Sequence, residues 1–264
     1  MEKLKTQTIN RDEAQIKLMA RMIYDYVVGP NAEKKNNFVA DKVTEDRLQE
    51  IQDINKKAYA HLGEDGYVEI PVAKAWYRAT ESKIENNGKV VEGTMFPAAI
   101  TNKESGKLEA YIAMVPLKKS VYDILKKGSN DDKDVDIPAE DMLPFQKGKN
   151  QCLLMDVASM NSKLSRPAAA TLFYAFLKQM DALKKAGVEV DDIIVDVCTE
   201  MGFNSANLVL DMKQARATNY EDAPEDAALY EGKIKPTLLQ QIEQEIEVLK
   251  AKDAQKQTLD DRTM

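Results

Sequence analysis

Two apolar strand-like runs flank one long amphipathic helix, and this unit constrains the fold more than any other feature of the chain. The runs are CLLMDVASM (152–160) and VDDIIVDVCTE (190–200); the second is rich in β-branched residues, as a central parallel strand is. The helix between them ends at Gly187. Its apolar stripe consists of Leu172, Phe173, Phe176, Leu177, Met180 and Leu183. Strand, helix and strand in this order predict an α/β fold.

The N-terminal segment predicts a strand followed by a helix. KLKTQTI (3–9) alternates enough for a short strand. The helix begins at a cap, Asn10 or Asp12, and stops at Gly29. Its apolar residues recur at helical spacing and are Ile16, Met19, Ile23 and Tyr26.

A second helix is predicted from Thr44, a capping residue, to Gly63. One of its faces carries Leu48, Ile51, Ala58 and Leu62. Residues 64–92 leave two interpretations open, because YVEIPVAKAWY fits either a strand broken at Pro71 or a short helix after it.

The rest of the chain up to residue 234 predicts one hairpin, one insertion and two closing strands. Residues 94–117 form the hairpin, since two strand-like runs flank KESGK, whose Ser-Gly favours a turn. Residues 119–149 begin with a helical turn, SVYDILKKG, and continue as a polar insertion or loop. NSANLVLDMK (204–213) reads as a short helix, and RATNY (216–220) and AALYEGKI (227–234) as antiparallel strands.

Composition limits the function classes. The 264 residues are 44% hydrophobic, enough for a sizeable core, and the net charge of −7 disfavours nonspecific binding to nucleic acid. Cys152 and Cys198 lie in apolar runs, which predicts buried free thiols and a reducing compartment. The N-terminus lacks the apolar segment of a signal peptide, and no run reaches membrane-spanning length. We therefore expect a cytoplasmic protein without nucleic-acid or membrane partners.

The start of the long helix, SRPAAAT (165–171), has two interpretations. Ser165 is a good helix cap and the alanines favour a helix, so local structure alone explains the stretch. Alternatively, the amides and positive dipole end of the helix form an anion site, which small residues keep open and Arg166 strengthens. The strand before it and the α/β order around it favour an anionic cofactor.

The order of elements over residues 3–234 resembles that of the GCN5-related N-acetyltransferases (GNAT), a mixed central sheet flanked by helices. The pyrophosphate loop of that family is written (Gln/Arg)-x-x-Gly-x-(Gly/Ala). It falls on RPAAAT, where Arg166 matches, Ala169 replaces the glycine and Thr171 stands where Gly or Ala is usual. A second family motif, Asn-x-x-Ala-x-x-Leu-Tyr, is matched in kind by Asn204, while Leu210 occupies the place of the tyrosine.

The resemblance implies binding of acetyl-CoA as cosubstrate and acetyl transfer to an amine by direct attack. The tyrosine that Leu210 replaces protonates the leaving thiolate in the family, so water or another phenol, Tyr220 or Tyr230, takes that role or the chemistry is impaired. The residues that would contact the cofactor are Val157, Ser159, Arg166, Ala168, Ala169, Ala170, Thr171 and Asn204.

Attack by an amine requires a proton acceptor near the first strand of the unit. Asp156 and Glu200 are the candidates, with Tyr230 as the acid, and Asp196 could share the role or bind the substrate ammonium. Each acid could instead cap a strand or pair with a lysine. The acidic balance favours a cationic acceptor, a polyamine or a protein lysine. The single histidine, His61, and two separated cysteines predict no metal site.

Residues 235–264 form a unit of their own beyond the domain of residues 1–234. PTLLQQIEQEIEVLKAK predicts an amphipathic helix that packs either on the domain itself or in a homodimer, and the end of the chain, 255–264, is expected to be disordered. The apolar stripe of the helix is Leu238, Ile242, Ile246 and Leu249.

Two function classes follow from these features. The first is an acyl-CoA-dependent N-acyltransferase, in which Trp76 and Tyr77 either line the acceptor pocket or pack in the core. The second is a noncatalytic protein that uses the same fold for binding or assembly. The missing tyrosine, the degenerate loop and the added helix suggest this second class, and the first is the function we expect.

Overall fold

A seven-stranded mixed sheet forms the centre of the molecule. The computed structural model describes residues 2–60, 63, 67–127, 137–161, 163–197, 210–217, 228–234 and 237–263. The strands are β1 (Phe38–Asp41), β2 (Ser82–Asn86), β3 (Lys89–Gly93), β4 (Ala98–Asn102), β5 (Leu108–Pro116), β6 (Gly148–Ser159), β7 (Val188–Val197), β8 (Leu210–Ala217) and β9 (Ala228–Ile234). The sheet order is β1-β4-β5-β6-β7-β9-β8, with β2 and β3 as a separate hairpin.

Among the described strands of this sheet, only β6 and β7 run parallel, and the other neighbours are antiparallel. A parallel pair needs a crossover, and the helix between β6 and β7 supplies it. The predicted mixed α/β sheet and its strand–helix–strand unit are thus confirmed.

Helices cover both faces of the sheet. They are α1 (Glu2–Ile23), α2 (Ala32–Lys35), α3 (Leu48–Ala58), α4 (Ile70–Thr80), α5 (Lys119–Lys127), α6 (Arg166–Lys185) and α7 (Leu238–Thr263). Residues of α1, α6 and α7 share one buried apolar cluster with the sheet, and residues of α3, α4 and α5 share another. We call these sides the α6 face and the α3 face. No described helix is long and apolar enough to cross a bilayer.

Helix α6 has the ends and the buried stripe that its sequence predicts. Ser165 caps it by accepting a hydrogen bond from the Ala168 amide, and Pro167 occupies the first turn, where an amide hydrogen is not needed. Gly187 follows the helix with φ of 90°, a conformation that favours glycine. Leu172, Phe176, Leu177, Met180 and Leu183 are buried, and Phe173 is partly buried.

The predicted strand at 3–9 is wrong, because α1 runs without a break from Glu2 to Ile23 and neither Asn10 nor Asp12 begins it. The sheet edge is occupied instead by β1, which pairs with β4. Residues Tyr24–Val28 continue α1 as one wider π-helical turn. The predicted stop is confirmed, since Gly29 is extended and its amide donates to the Tyr24 carbonyl.

Residues 44–93 differ from the prediction mainly in their boundaries. Thr44 precedes a short 3₁₀ turn, and α3 ends at Ala58 instead of Gly63. Of the two interpretations of YVEIPVAKAWY, the helix is correct: Pro71 lies in the first turn of α4. The β2–β3 hairpin was not predicted. Its turn is Asn87-Gly88, with φ of 50° and 76°.

The predictions for residues 94–127 are confirmed, whereas the one for residues 204–213 is partly wrong. Residues 94–117 contain the β4–β5 hairpin, and residues 119–127 form α5. The predicted helix at 204–213 is wrong at its end, because β8 begins at Leu210 and pairs with β9. Residues 204–209, like the middle of the predicted insertion at 128–136, lie outside the described part of the chain.

Helix α7 packs on the domain itself. Leu238, Ile242 and Ile246 are buried in the core of the α6 face, which is the first of the two predicted alternatives. A homodimer could not use these three side chains without unpacking that core. The predicted disorder of residues 255–264 is also wrong, since the helix continues to Thr263. Tyr24, in the turn that continues α1, links α1 to α7 by donating a hydrogen bond of 2.7 Å to the Asp253 carboxylate.

We expect Ile242→Ala to lower the free energy of unfolding by about 2–5 kcal/mol, because the fully buried side chain leaves a cavity in the core. Val248→Ala on the same helix is the control. Val248 is 46% exposed, and its loss should change stability by less than about 0.5 kcal/mol. Urea unfolding measures both. Equal effects of the two substitutions would mean that α7 does not dock as described.

Candidate active site

Strands β6 and β7 stop pairing halfway along their length. Their parallel ladder runs from Gly148 and Val188 to Leu153 and Ile194, and over the described residues it goes no further. Both strands nevertheless continue, β6 alongside β5 and β7 alongside β9. Among the described residues, the second half of β6 therefore has no strand partner on the β7 side, at the point where α6 begins. We call this side of β6 the opening, and it defines the candidate site.

The backbone register shows which groups of β6 face the opening. The Met160 amide donates to the Glu109 carbonyl at 2.8 Å, so this pair is hydrogen-bonded. In an antiparallel ladder, hydrogen-bonded pairs alternate with pairs whose N–H and C=O groups point outward. Ala158 then bonds to β5, while the backbone groups of Val157 and Ser159 point away from β5. These are the two β6 residues predicted to contact a cofactor.

A β-bulge at Met155 turns Asp156 toward the α3 face. Asp156 pairs with Ala113 and Leu154 pairs with the next residue, Met114, which leaves Met155 without a partner on β5. A bulge of this kind places two successive side chains on one side of the sheet. Met155 accordingly packs with the α3-face core, and Asp156 bonds to a residue of the same cluster.

Asp156 is held by two tyrosine hydroxyl groups. Tyr111 of β5 lies 3.0 Å from its Oδ2, and Tyr59, just after α3, also bonds to the carboxyl group. The side chain is partly exposed, yet the surrounding protein removes most of its hydration. This desolvation raises the pKa of Asp156 to about 6, although both tyrosine bonds act in the opposite direction. A carboxyl group with this pKa is mostly ionised at neutral pH, and its carboxylate form can accept a proton.

Tyr111, one of the two tyrosines that bond to Asp156, is held in place by its own contacts. Tyr111 is fully buried, its ring meets Phe96 edge to face at 5.5 Å, and its hydroxyl also bonds to the Asn55 amide of α3. Burial, with Asp156 as the next cause, raises the pKa of Tyr111 well above its usual value. Tyr111 therefore stays protonated and serves Asp156 as a hydrogen-bond donor.

Sequence analysis did not identify Asn55, Tyr59 or Tyr111. A signal for Asn55 was present, because it occupies the α3 turn that the apolar spacing of Ile51 and Ala58 skips. A polar residue at a core position of a predicted helix needs a buried partner. Nothing in the sequence indicates that this partner is Tyr111, since the pairing depends on how α3 crosses β5.

The start of α6 offers fewer amides to an anion than its sequence suggests. Pro167 has no amide hydrogen, and the amides of Ala168 and Ala169 point to Ser165, at 3.4 Å from its hydroxyl and 2.8 Å from its carbonyl. The exposed Arg166 remains, with its own amide and its guanidinium. Ala169 is partly exposed and lies next to it.

Other residues of the predicted loop face inward. Ala168 and Ala170 are buried in the α6-face core, so their side chains do not line the opening. The Thr171 hydroxyl donates to the Pro167 carbonyl and accepts from Asn36, both at 2.8 Å. A cofactor contact by the Thr171 side chain would require breaking these bonds. The predicted role of this side chain therefore does not fit the arrangement.

The Ser159 side chain is also engaged. It is 2% exposed, and its hydroxyl donates to the Asn161 carbonyl. The Asn161 amide in turn donates to the Glu109 carboxylate, so the segment after β6 is fastened to β5. Only the backbone of Ser159 can then take part in a cofactor contact.

Tyr230 is not brought to Asp156. It lies on β9 opposite Val195, and its ring packs against the α6-face core, whereas Asp156 is on the α3 face. Cys152 is fully buried, which raises the pKa of its thiol, and the predicted buried free thiol is confirmed at this position. Five residues considered from sequence lie outside the described part of the chain: His61, Cys198, Glu200, Asn204 and Tyr220. The Asp196 backbone is described, but its side chain is not.

The aromatic pair of α4 belongs to the α3-face core. Tyr77 is buried and donates to the Val43 carbonyl at 3.2 Å. Trp76 is partly buried and donates to the Ile137 carbonyl at 3.1 Å. Of the two predicted roles, core packing is the one that these contacts support.

A separate open groove of about 1140 Å³ lies between β1, the β2–β3 hairpin and α6. Two strands of the sheet separate its edge, β1, from β6 and Asp156. Two of its three lining lysines are paired with acids: Lys42 with Glu92 at 2.5 Å and Lys178 with Glu243 at 3.3 Å. The groove is distinct from the candidate active site.

Comparison with known proteins gives matches among solved structures. No family model matches the chain, and no curated protein matches it. It is similar to histone acetyltransferase HPA2 and related acetyltransferase of Corynebacterium glutamicum (TM-score 0.39, 11% identity, 75% of this chain and 97% of the other). It is also similar to a GNAT-family acetyltransferase of Streptococcus agalactiae (0.39, 16%, 75% and 95%). A third is PaiA N-acetyltransferase of Thermoplasma acidophilum in complex with coenzyme A (0.35, 12%, 74% and 98%).

Asp156→Asn should stabilise the protein more at pH 8 than at pH 4. The pKa of Asp156 is raised in the folded state from 3.8 to about 6, so its favourable protonated state, complete below pH 3.8, is lost as the pH rises through 6. The free energy of unfolding falls by about 3 kcal/mol through this titration. Asparagine does not titrate, so the variant keeps that stability. Urea unfolding of both proteins at both pH values measures the difference. If the stability difference between the two proteins were the same at pH 4 and pH 8, Asp156 would have an ordinary pKa.

Proposed function

We propose that this protein is an acyl-CoA-dependent N-acyltransferase that transfers an acetyl group to an amine by direct attack. The observation that carries the proposal is Asp156, a carboxyl group with a pKa near 6 at the open side of β6. It stands near outward-facing backbone groups and the start of a helix, so a proton acceptor, a ligand-binding strand edge and an anion site share one region.

The open half of β6 suits an extended ligand that carries amide groups. Backbone groups of Val157 and Ser159 face the opening about 7 Å apart, as alternate residues of a strand do. The pantetheine arm of coenzyme A has two amides and would add to this edge as a further strand. Its pyrophosphate would then lie at Arg166, which supplies one amide and a guanidinium.

Asp156 would act as the general base. The acceptor ammonium loses one proton to the Asp156 carboxylate, and its nitrogen then forms a bond to the thioester carbonyl carbon. The carbon–sulfur bond breaks, and the nitrogen releases a second proton to water as the amide forms. The leaving thiolate must also gain a proton. Leu210 replaces the tyrosine expected from the family resemblance, and Tyr230 packs on the other face, so the proton donor in this scheme is water or Tyr220, which lies outside the described residues. Turnover is then expected to be slow.

The acceptor in this proposal is cationic, a polyamine or a protein lysine. The net charge of −7 attracts such a substrate, and Asp156 provides a local negative charge once it is ionised. Glu200 and Asn204, predicted from sequence as base and cofactor ligand, remain part of the proposal as residues to be tested by substitution.

Ala169→Glu should abolish binding of acetyl-CoA, because a long acidic side chain beside Arg166 blocks and repels the pyrophosphate. The fold should be retained, since glutamate suits the start of a helix. Ala169→Gln is the matched control: it has the same length without the charge, so it should weaken binding less. Calorimetry with acetyl-CoA measures the dissociation constants. Unchanged binding by the glutamate variant would remove the cofactor from this helix start.

Acetyl-CoA consumption with a panel of amines tests the reaction itself. Asp156→Asn should lower kcat/KM by about 10²–10⁴, the usual contribution of a general base. Tyr230→Phe should leave the rate unchanged, and Glu200→Gln should lower it only if that acid shares the role. If the parent protein binds acetyl-CoA but releases no CoA in an amine-dependent reaction, the noncatalytic binding function replaces the enzyme.

A further inference from the structure

One hydroxyl hydrogen is shared between two acceptors beneath the candidate active site. The Tyr111 oxygen lies within hydrogen-bond distance of the Asp156 carboxyl group and of the Asn55 side-chain oxygen. A phenol has a single hydrogen to donate. Tyr111 therefore cannot donate to both groups at the same time. The direction of at least one of the two hydrogen bonds depends on whether Asp156 carries a proton.

The ionised state has one consistent arrangement. The Asp156 carboxylate accepts from Tyr59 and from Tyr111, which uses the Tyr111 hydrogen. The Asn55 carbonyl oxygen would then face the Tyr111 oxygen with no hydrogen between them. Rotation of the amide by 180° removes this conflict, because its NH₂ group then donates to the Tyr111 oxygen.

The protonated state has the opposite arrangement. The Asp156 hydroxyl donates to the Tyr111 oxygen, and Tyr111 donates to the Asn55 carbonyl oxygen, the orientation that the described side chains have. The Tyr111 hydroxyl then has a donor on one side and an acceptor on the other. An amide suits this position because it presents a donor or an acceptor from the same volume.

We propose that Asn55 is a positioning residue whose amide follows the Tyr111 hydrogen, so that Tyr111 stays hydrogen-bonded to both Asp156 and Asn55 whether or not Asp156 holds a proton. The inference rests on the proposed function only in taking Asp156 as the base. Asn55 itself is buried, 8% exposed, and does not touch the opening. Its side chain reaches Asp156 through Tyr111, whereas its backbone carbonyl accepts from the Tyr59 amide at 2.8 Å, a bond that side-chain substitutions leave in place.

The titration of Asp156 depends on desolvation and on its hydrogen bonds to two phenols. In the described part of the protein, the titratable side chains that act on Asp156 are Tyr59, after α3, and Tyr111, from β5. Both are phenols, and the cause that raises the pKa of Asp156 is desolvation. Because the other influences are hydrogen bonds, changing the partner of Tyr111 should change the titration of Asp156 directly.

Asn55→Leu tests the proposal. Leucine removes the acceptor that Tyr111 needs when Asp156 is protonated, whereas in the ionised state only a lone pair of Tyr111 loses its partner. The ionised state is therefore favoured, and the pKa of Asp156 should fall by about one unit, tenfold in proton affinity. Tyr59→Phe removes a donor to the carboxylate and should shift the pKa upward.

Gln52→Leu is the matched control. Gln52 is another buried amide of α3, 7% exposed, which donates to the Val68 carbonyl and has no contact with Asp156. Its replacement should destabilise the fold while leaving the titration of Asp156 unchanged. A general loosening of α3 would instead move the titration in both leucine variants, and that result would overturn the proposal.

The measurement is the ¹³C chemical shift of the Asp156 carboxyl group against pH, in protein labelled at its aspartate side chains and assigned by Asp156→Asn. An unchanged midpoint in Asn55→Leu would overturn the proposal. If that variant does not fold, Asn55→Asp replaces it: a carboxylate accepts but cannot donate, so the Asp156 midpoint should rise, and an unchanged midpoint overturns the proposal equally.

The same titration separates this inference from the proposed function. A shifted midpoint in a protein that transfers no acyl group supports the role of Asn55 and removes the enzyme. In an active protein, the acidic limb of the kcat/KM profile should move with the midpoint. An acidic limb that stays in place while the midpoint moves would show that Asp156 is not the base.

Discussion

The end of the β6–β7 ladder at Leu153 and Ile194 is the constraint on which the rest of the site depends. Parallel pairing up to that point is enforced by α6, which crosses over one face of the sheet and returns the chain beside β6. Beyond it, β6 stays paired with β5 and β7 with β9, but β6 and β7 no longer pair with each other. Over the described residues, the result is a strand edge in the middle of the sheet, where the outward-facing backbone groups of β6 have no strand partner.

The bulge at Met155 and the buried phenols give that edge its chemistry. Without the extra residue, Asp156 would lie one position further along the pleat and point to the α6 face, which is apolar. With it, the carboxyl group meets Tyr59 and Tyr111 in a region that removes water but supplies hydrogen bonds. The pKa near 6 is the balance of these two effects.

Sequence reasoning identified the parts of the fold whose signals are local. The strand–helix–strand unit around α6 and the β4–β5 hairpin carry periodicity and turn residues that specify them. It failed at residues 3–9, where a short alternating run belongs to a long helix, and at Leu210, where a strand depends on pairing with β9. Asp156 was found because a charge in an apolar strand is conspicuous. Asn55 and Tyr111 were not, because their contact joins residues 56 positions apart and no local pattern records it.

The contact between α1 and α7 has a consequence for the order of folding. Tyr24 and Asp253 are 229 positions apart along the chain, and the helices that carry them cover the same face of the sheet. Closing so long a loop is slow relative to forming the hairpins and α6. During synthesis, the part of the α6 face that α7 covers should therefore remain exposed until α7 has left the ribosome. We expect nascent chains of this protein to need protection of that surface at a late stage, after the sheet has already formed.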